Sequence, residues 1–122
     1  MKAELRIGNH IGQGEVMEIK ENVVRVKYTA DKERTSLIRY EDIHPILLSE
    51  EVLLRCPEIQ PSTWMPEMWT IRDTKSQFHI VKMKGRFVFR GLGMSVTYVD
   101  TLHHLQNLVY VVSGEELEVK WD

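Results

Sequence analysis

The sequence predicts an α+β protein: a small N-terminal antiparallel β-barrel-like sheet, a short helix, and a basic β-hairpin sheet packed on one C-terminal helix. Three observations carry that prediction. Short alternating stretches separated by turn residues fill the first 48 positions. Lys84-Gly85 lies between two alternating runs and marks a hairpin. Leu102, Leu105, Val109 and Val112 recur at spacings of three and four, which gives a helix one apolar side.

The chain has 122 residues, 43% of them hydrophobic, enough for one compact domain with a lobe over 1–48 and a second over 49–122. A formal charge of -2 argues against indiscriminate binding to nucleic acid or acidic membranes. Met1 to Arg6 contains no apolar leader core, no run approaches a membrane span, and the single cysteine, Cys56, has no internal partner. These features fit a cytoplasmic protein. The charge is unevenly placed. Residues 1–48 balance eight basic against eight acidic side chains, and Glu50, Glu51, Glu58 and Glu67 dominate 49–70. Residues 71–90 then reverse the sign, with Arg72, Lys75, Lys82, Lys84, Arg86 and Arg90 against Asp73.

Taken in order, Gly8-Asn9 and Gly12-Gln13-Gly14 are turns, and Glu15–Lys20 and Val23–Tyr28 are strands joined at Glu21-Asn22. Val24, Val26 and Tyr28 alternate with Arg25 and Lys27, as in a half-buried strand. Thr35–Tyr40 is a further strand, and Glu41–Ile46 a tight turn into a last short one. Ser49–Arg55 reads as a helix with a serine cap and an acidic first turn, ended by Pro57. Cys56–Pro66 holds three prolines and is expected to be irregular. Met68–Ile71 is a strand. A two-residue loop at Lys84-Gly85 sets Met83 opposite Arg86, Val81 opposite Val88 and His79 opposite Arg90. Phe78, Ile80, Lys82, Phe87 and Phe89 then share the face that packs on the C-terminal helix. Met94–Thr97 is a strand candidate, and Leu117–Trp121 alternates like an edge strand. For the last helix, Thr97 is the expected N-cap, with Asp100 three residues on and Gly114 as the left-handed C-cap. Asp100, His103, His104 and Asn107 fall on its polar side.

Two resemblances follow from these stretches. The strand order of the first 48 residues is similar to small barrels of the Tudor and Src-homology-three kind, which implies a binding scaffold without naming a ligand. Leu102-His103-His104-Leu105-Gln106-Asn107-Leu108 with Ser113-Gly114-Glu115-Glu116-Leu117 resembles the ending of a family of small uncharacterised proteins from prophages and mobile elements of gut bacteria. Leu5–Asn9, Glu41–Ile46 and Leu48–Leu54 look like that family's other shared stretches. The chain departs from it at His104, Val109 and Cys56-Pro57. The family supplies no activity; it implies an accessory protein working in a bacterial host's cytoplasm.

Catalytic and metal chemistry find little support. His103 and His104 diverge by about 100° on a helix and cannot easily share a metal. Asp100 with His104 lacks a third ligand. Cys56 has no His/Asn signature and sits at a helix end whose dipole raises a thiol pKa. The two glycine clusters, at 12–14 and 90–93, complete no phosphate-binding motif. No enzyme, cofactor or metal site is expected. The candidate contact residues are the basic set Arg72, Lys75, His79, Lys84, Arg86 and Arg90, and Trp64 and Trp69 in a Trp/Met segment that serves as an exposed anchor or as a cap on the core.

The leading expectation is a non-enzymatic binding protein of phage type that antagonises a host or defence protein. The alternative is a protein that sequesters a small anionic ligand such as a nucleotide signal, arginines clamping its phosphates and Trp64, Trp69 or Tyr98 stacking on a base. Nucleic-acid binding is a lesser alternative, because Phe87 and Phe89 face inward by alternation rather than offering stacking platforms. The oligomeric state is open, a homodimer included.

Overall fold

The computed structural model describes residues 5–28, 33–63, 65–71, 78–91 and 97–121. The class is α+β: two antiparallel sheets, each with its strands in chain order, and two helices. The first sheet contains β1 (His10–Ile11), β2 (Gly14–Ile19), β3 (Val23–Lys27) and β4 (Thr35–Arg39), with β1 and β4 as its edges. Ile11, Val16, Val24 and Val26 are buried on one side of it, against Leu5, Ile38, Tyr40 and Ile43. Gly14 begins β2 because nothing larger fits. Its φ is +146°, and a Cβ there would sit 2.1 Å from the Lys27 carbonyl oxygen.

A 3-10 turn, Tyr40–Asp42, follows β4. The expected last strand of this lobe reduces to one bridge between Leu47 and Thr101. Helix α1 (Glu50–Leu54) carries the predicted cap, the Ser49 hydroxyl accepting from the Val52 N–H at 3.1 Å. Within the proline-containing stretch the chain is not wholly irregular: Ile59–Pro61 forms β5, with Ile59 buried and paired to Ile71.

The second sheet continues with β6 (Met68–Ile71), β7 (Phe78–Met83), β8 (Arg86–Gly91) and β9 (Thr97–Tyr98). The hairpin register is the one alternation requires: Met83 opposite Arg86, Val81 opposite Val88, His79 opposite Arg90. Lys84 and Gly85 both have positive φ (51° and 78°), the backbone of a two-residue turn whose twist matches its strands. Only the end of the strand candidate at 94–97 is seen, because 94–96 lie outside the described residues.

Helix α2 (Leu102–Ser113) is the centre of the molecule. Its apolar stripe, Leu102, Leu105 and Val109, joins Ile80, Phe87 and Phe89 of the second sheet in the main core. Gly114 is the left-handed C-cap, φ 76°. The N-cap is corrected by one turn: Thr101, not Thr97, accepts from the His104 N–H, because Thr97 and Tyr98 pair with β8. The polar side is corrected too. Of that side His103 is buried, His104 and Asn107 are half-buried and Asp100 is exposed ahead of the helix, while the neighbouring Gln106 is buried where the β1 edge meets the helix. Leu117–Trp121 is extended but forms no strand. Its neighbour is the end of α1, where the Arg55 carbonyl accepts from the Lys120 N–H and the Arg55 guanidinium donates to the Trp121 carbonyl. A helix end offers no repeating ladder of partners, so no sheet edge forms, yet the alternation of burial survives: Leu117 is buried, Val119 and Trp121 pack against the main core, and Glu118 and Lys120 are exposed.

The junction between α2 and the first sheet is polar and closely paired. Gln106 donates to the Gly8 carbonyl (3.3 Å) and accepts from the His10 N–H (2.8 Å), so one side-chain amide serves two main-chain groups at the β1 edge. Asn107 accepts from Asn9 (2.9 Å) and from Arg6 (2.8 Å). Arg6 also pairs with Glu116 and lies over the Tyr110 ring. Trp121 donates its indole N–H to His10 Nδ1 at 3.1 Å. Among the described residues no helix is long and apolar enough to cross a membrane.

Candidate functional site

The cross-strand pairs sort the second sheet into two faces. One face is core: Trp69, Ile71, Ile80, Phe87 and Phe89 are all buried, with Trp69 and Phe87 rings 5.8 Å apart. The other face holds three cross-strand rows. Gln60, Thr70, His79 and Arg90 form one; Met68, Val81, Val88 and Tyr98 form the next; Met83 and Arg86 close the turn end. Lys84 projects from the turn itself. This outer face is basic at both ends with an apolar row between. Val88 is buried at the middle of that row, flanked by Val81 and Tyr98, while Tyr98 is 52% exposed.

Arg86 is exposed and already organised. Its Nη2 meets Asp100 Oδ2 at 2.8 Å, its Nε meets Oδ1 at 3.3 Å, and its guanidinium lies 3.9 Å from the Tyr98 ring centroid. Asp100 just precedes the cap of α2 and Tyr98 belongs to β9, so the arginine ties the hairpin to the start of the helix. The bidentate pair neutralises much of the charge while holding the guanidinium flat on an aromatic face. Arg90 has no carboxylate within ion-pair distance among the described residues. Burial, and then the neighbouring Arg90, holds His79 below its ordinary 6.5, so it is a neutral imidazole at neutral pH.

Of the sequence-predicted site residues, His79, Lys84, Arg86 and Arg90 share this face or its turn. Trp69 does not: it is 7% exposed, because its position in β6 alternates onto the core face. Of the two readings of this segment, anchor or cap on the core, Trp69 takes the cap; its place among the contact residues is corrected, and it offers no stacking platform for a base. Trp64, Arg72 and Lys75 lie outside the described residues. Lys82, on the core face by alternation, extends its ammonium 5.8 Å from the Phe87 ring centroid. Tyr98, a stacking candidate beside the arginines in the anionic-ligand reading, joins this site, whereas the helix pattern puts Asp100 on the polar side of the helix. Their association with Arg86 is non-local, and no spacing in the chain signals it.

Two of the stretches that carry the family resemblance, Leu5–Asn9 and the C-terminal one, meet at the other junction, where Arg6 and Asn9 face Gln106, Asn107 and Glu116. Their chemistry there is structural: the Arg6 guanidinium and the Asn9 amide donate across the two lobes to Asn107, and Arg6 also pairs with Glu116. Among the described residues no cluster of three or more His, Cys, Asp or Glu could hold a metal ion. Cys56 is buried and its thiol is pushed up to about 12 by that burial and by Glu58. No protein-family model, curated protein or solved structure matches the chain.

Proposed function

We propose that this chain is a non-enzymatic binding protein of the accessory kind carried by phages and mobile elements. Its contact surface is the outer face of the β5–β9 sheet, and its partner is an acidic patch on a bacterial host or defence protein. The observation that supports this reading is the hairpin register, which turns Phe87 and Phe89 inward and leaves Arg86, Arg90 and Lys84 displayed beside exposed Tyr98. An aromatic ring carrying a held guanidinium, bordered by further cations, suits an acidic surface with an aromatic or aliphatic centre.

The test is capture from bacterial lysate by the intact chain, compared with Arg86→Glu plus Arg90→Glu. Both positions are exposed, but Arg86→Glu also sets a carboxylate against Asp100, so circular dichroism first establishes that the double variant keeps the fold, and Arg90→Glu alone repeats the comparison with the Arg86–Asp100 pair intact. The expected result is a protein captured by the parent, released by moderate salt and lost on charge reversal. Undiminished capture by the double variant overturns this surface.

A further inference from the structure

The four sheet edges are treated differently, and one of them is left open among the described residues. β1 is two residues long, and the Gln106 amide takes its His10 N–H and the carbonyl of Gly8 just before it. β5 ends in Pro61, and β9 is two residues long. Such devices keep an edge from recruiting another strand. β4 runs for five residues with no proline and no bulge in its pairing to β3.

The direction of its main-chain groups follows from the ladder. The Tyr28 N–H donates to the Arg34 carbonyl at 3.1 Å, so Tyr28 and Arg34 form a closely bonded pair. Alternation makes Val26–Ser36 and Val24–Ile38 the next bonded pairs. The main-chain groups of Thr35, Leu37 and Arg39 therefore point away from β3. Leu37 is 49% exposed, in the middle of this edge, where a charged residue would protect it.

We infer that β4 is a self-association edge, pairing antiparallel with β4 of a second copy about a twofold axis at Leu37. The twofold returns the same three outward positions: Leu37 faces Leu37, and Thr35 faces Arg39. The Leu37 pair exchanges two main-chain bonds and each Arg39 N–H reaches the opposite Thr35 carbonyl, roughly four bonds in all. Arg39 keeps its own pairs with Asp42 (3.0 Å) and Glu41 (3.6 Å) at the rim, and the two leucines cover each other on the solvent side. The two four-stranded sheets become one continuous sheet, on the opposite lobe from the basic face. The buried area is small, so the dimer is weak and concentration-dependent.

Sedimentation velocity on the intact chain, from micromolar to millimolar concentration, tests this. A monomer–dimer equilibrium is expected. Leu37→Lys places two ammonium groups against each other and weakens association at least about tenfold with an unchanged circular dichroism spectrum. Leu37→Cys cross-links the dimer through residue 37 under mild oxidation, because a bonded antiparallel pair brings its Cα atoms to about 5.5 Å, within disulfide reach. A parent chain monomeric throughout, a Leu37→Lys variant that dimerises as well as the parent, or cross-linking no faster than at the remote exposed position in Gln60→Cys would each overturn the inference.

Discussion

Replacing Gln106 by leucine keeps helix propensity and most of the side-chain volume, yet removes the amide that closes the β1 edge. The residue is 1% exposed, and its two polar atoms each meet a main-chain group, the Gly8 carbonyl and the His10 N–H. Leaving a buried donor or acceptor unpaired costs about 1–3 kcal/mol. Two such groups, less about 1 kcal/mol returned by added apolar contact, give a loss of about 3 kcal/mol. For a domain of this size that lowers Tm by roughly 10 °C. Urea unfolding followed by tryptophan fluorescence reads the loss directly, with exposed Gln60→Leu as a control expected to stay within about 0.5 kcal/mol. A Gln106→Leu variant as stable as that control would refute the amide as the cover of this edge.

Acidification should destabilise the fold through its partly buried histidines. Burial holds His10 and His103 below the ordinary 6.5, with Glu15 and Glu116 partly opposing this at His10 and His104 reinforcing it at His103. The unfolded chain therefore takes up protons first. Stability is complete above 6.5 and falls as pH drops through the lowered folded values, by up to about 1.4 kcal/mol per pH unit for each group. His10→Asn keeps an acceptor for the Trp121 indole but should reduce the loss of stability as pH falls below 6.5 in urea titrations; a flat parent profile would contradict this. Cys56, buried with its thiol pushed up to about 12, should react slowly with a disulfide reagent in the native state and rapidly in denaturant. Native-state reaction at the rate of an unfolded thiol would show that the site opens.

What can be read from the chain alone is what depends on neighbours in sequence. The Lys84-Gly85 hairpin and its register follow from a local turn and strict alternation, and the inward phenylalanines come with them. The Ser49 cap of α1 and the Gly114 cap of α2 are likewise short-range. Tertiary structure decided the remainder. Helix α2 is polar on one side in sequence, yet His103 and Gln106 are buried and Asn107 half-buried, and the β1 edge brings Arg6, Asn9 and His10 to satisfy Gln106 and Asn107. Thr97 has the chemistry of a cap but is drawn into β9 by Phe89, and Asp100, suited to a helix start, is instead held by Arg86. Trp69 is equally suited to a surface anchor or a core, and only the order of strands around β6 sends it inward. A local pattern states which side chains share a face. Which faces are covered depends on contacts between residues about a hundred positions apart, and those the chain acquires only when it folds.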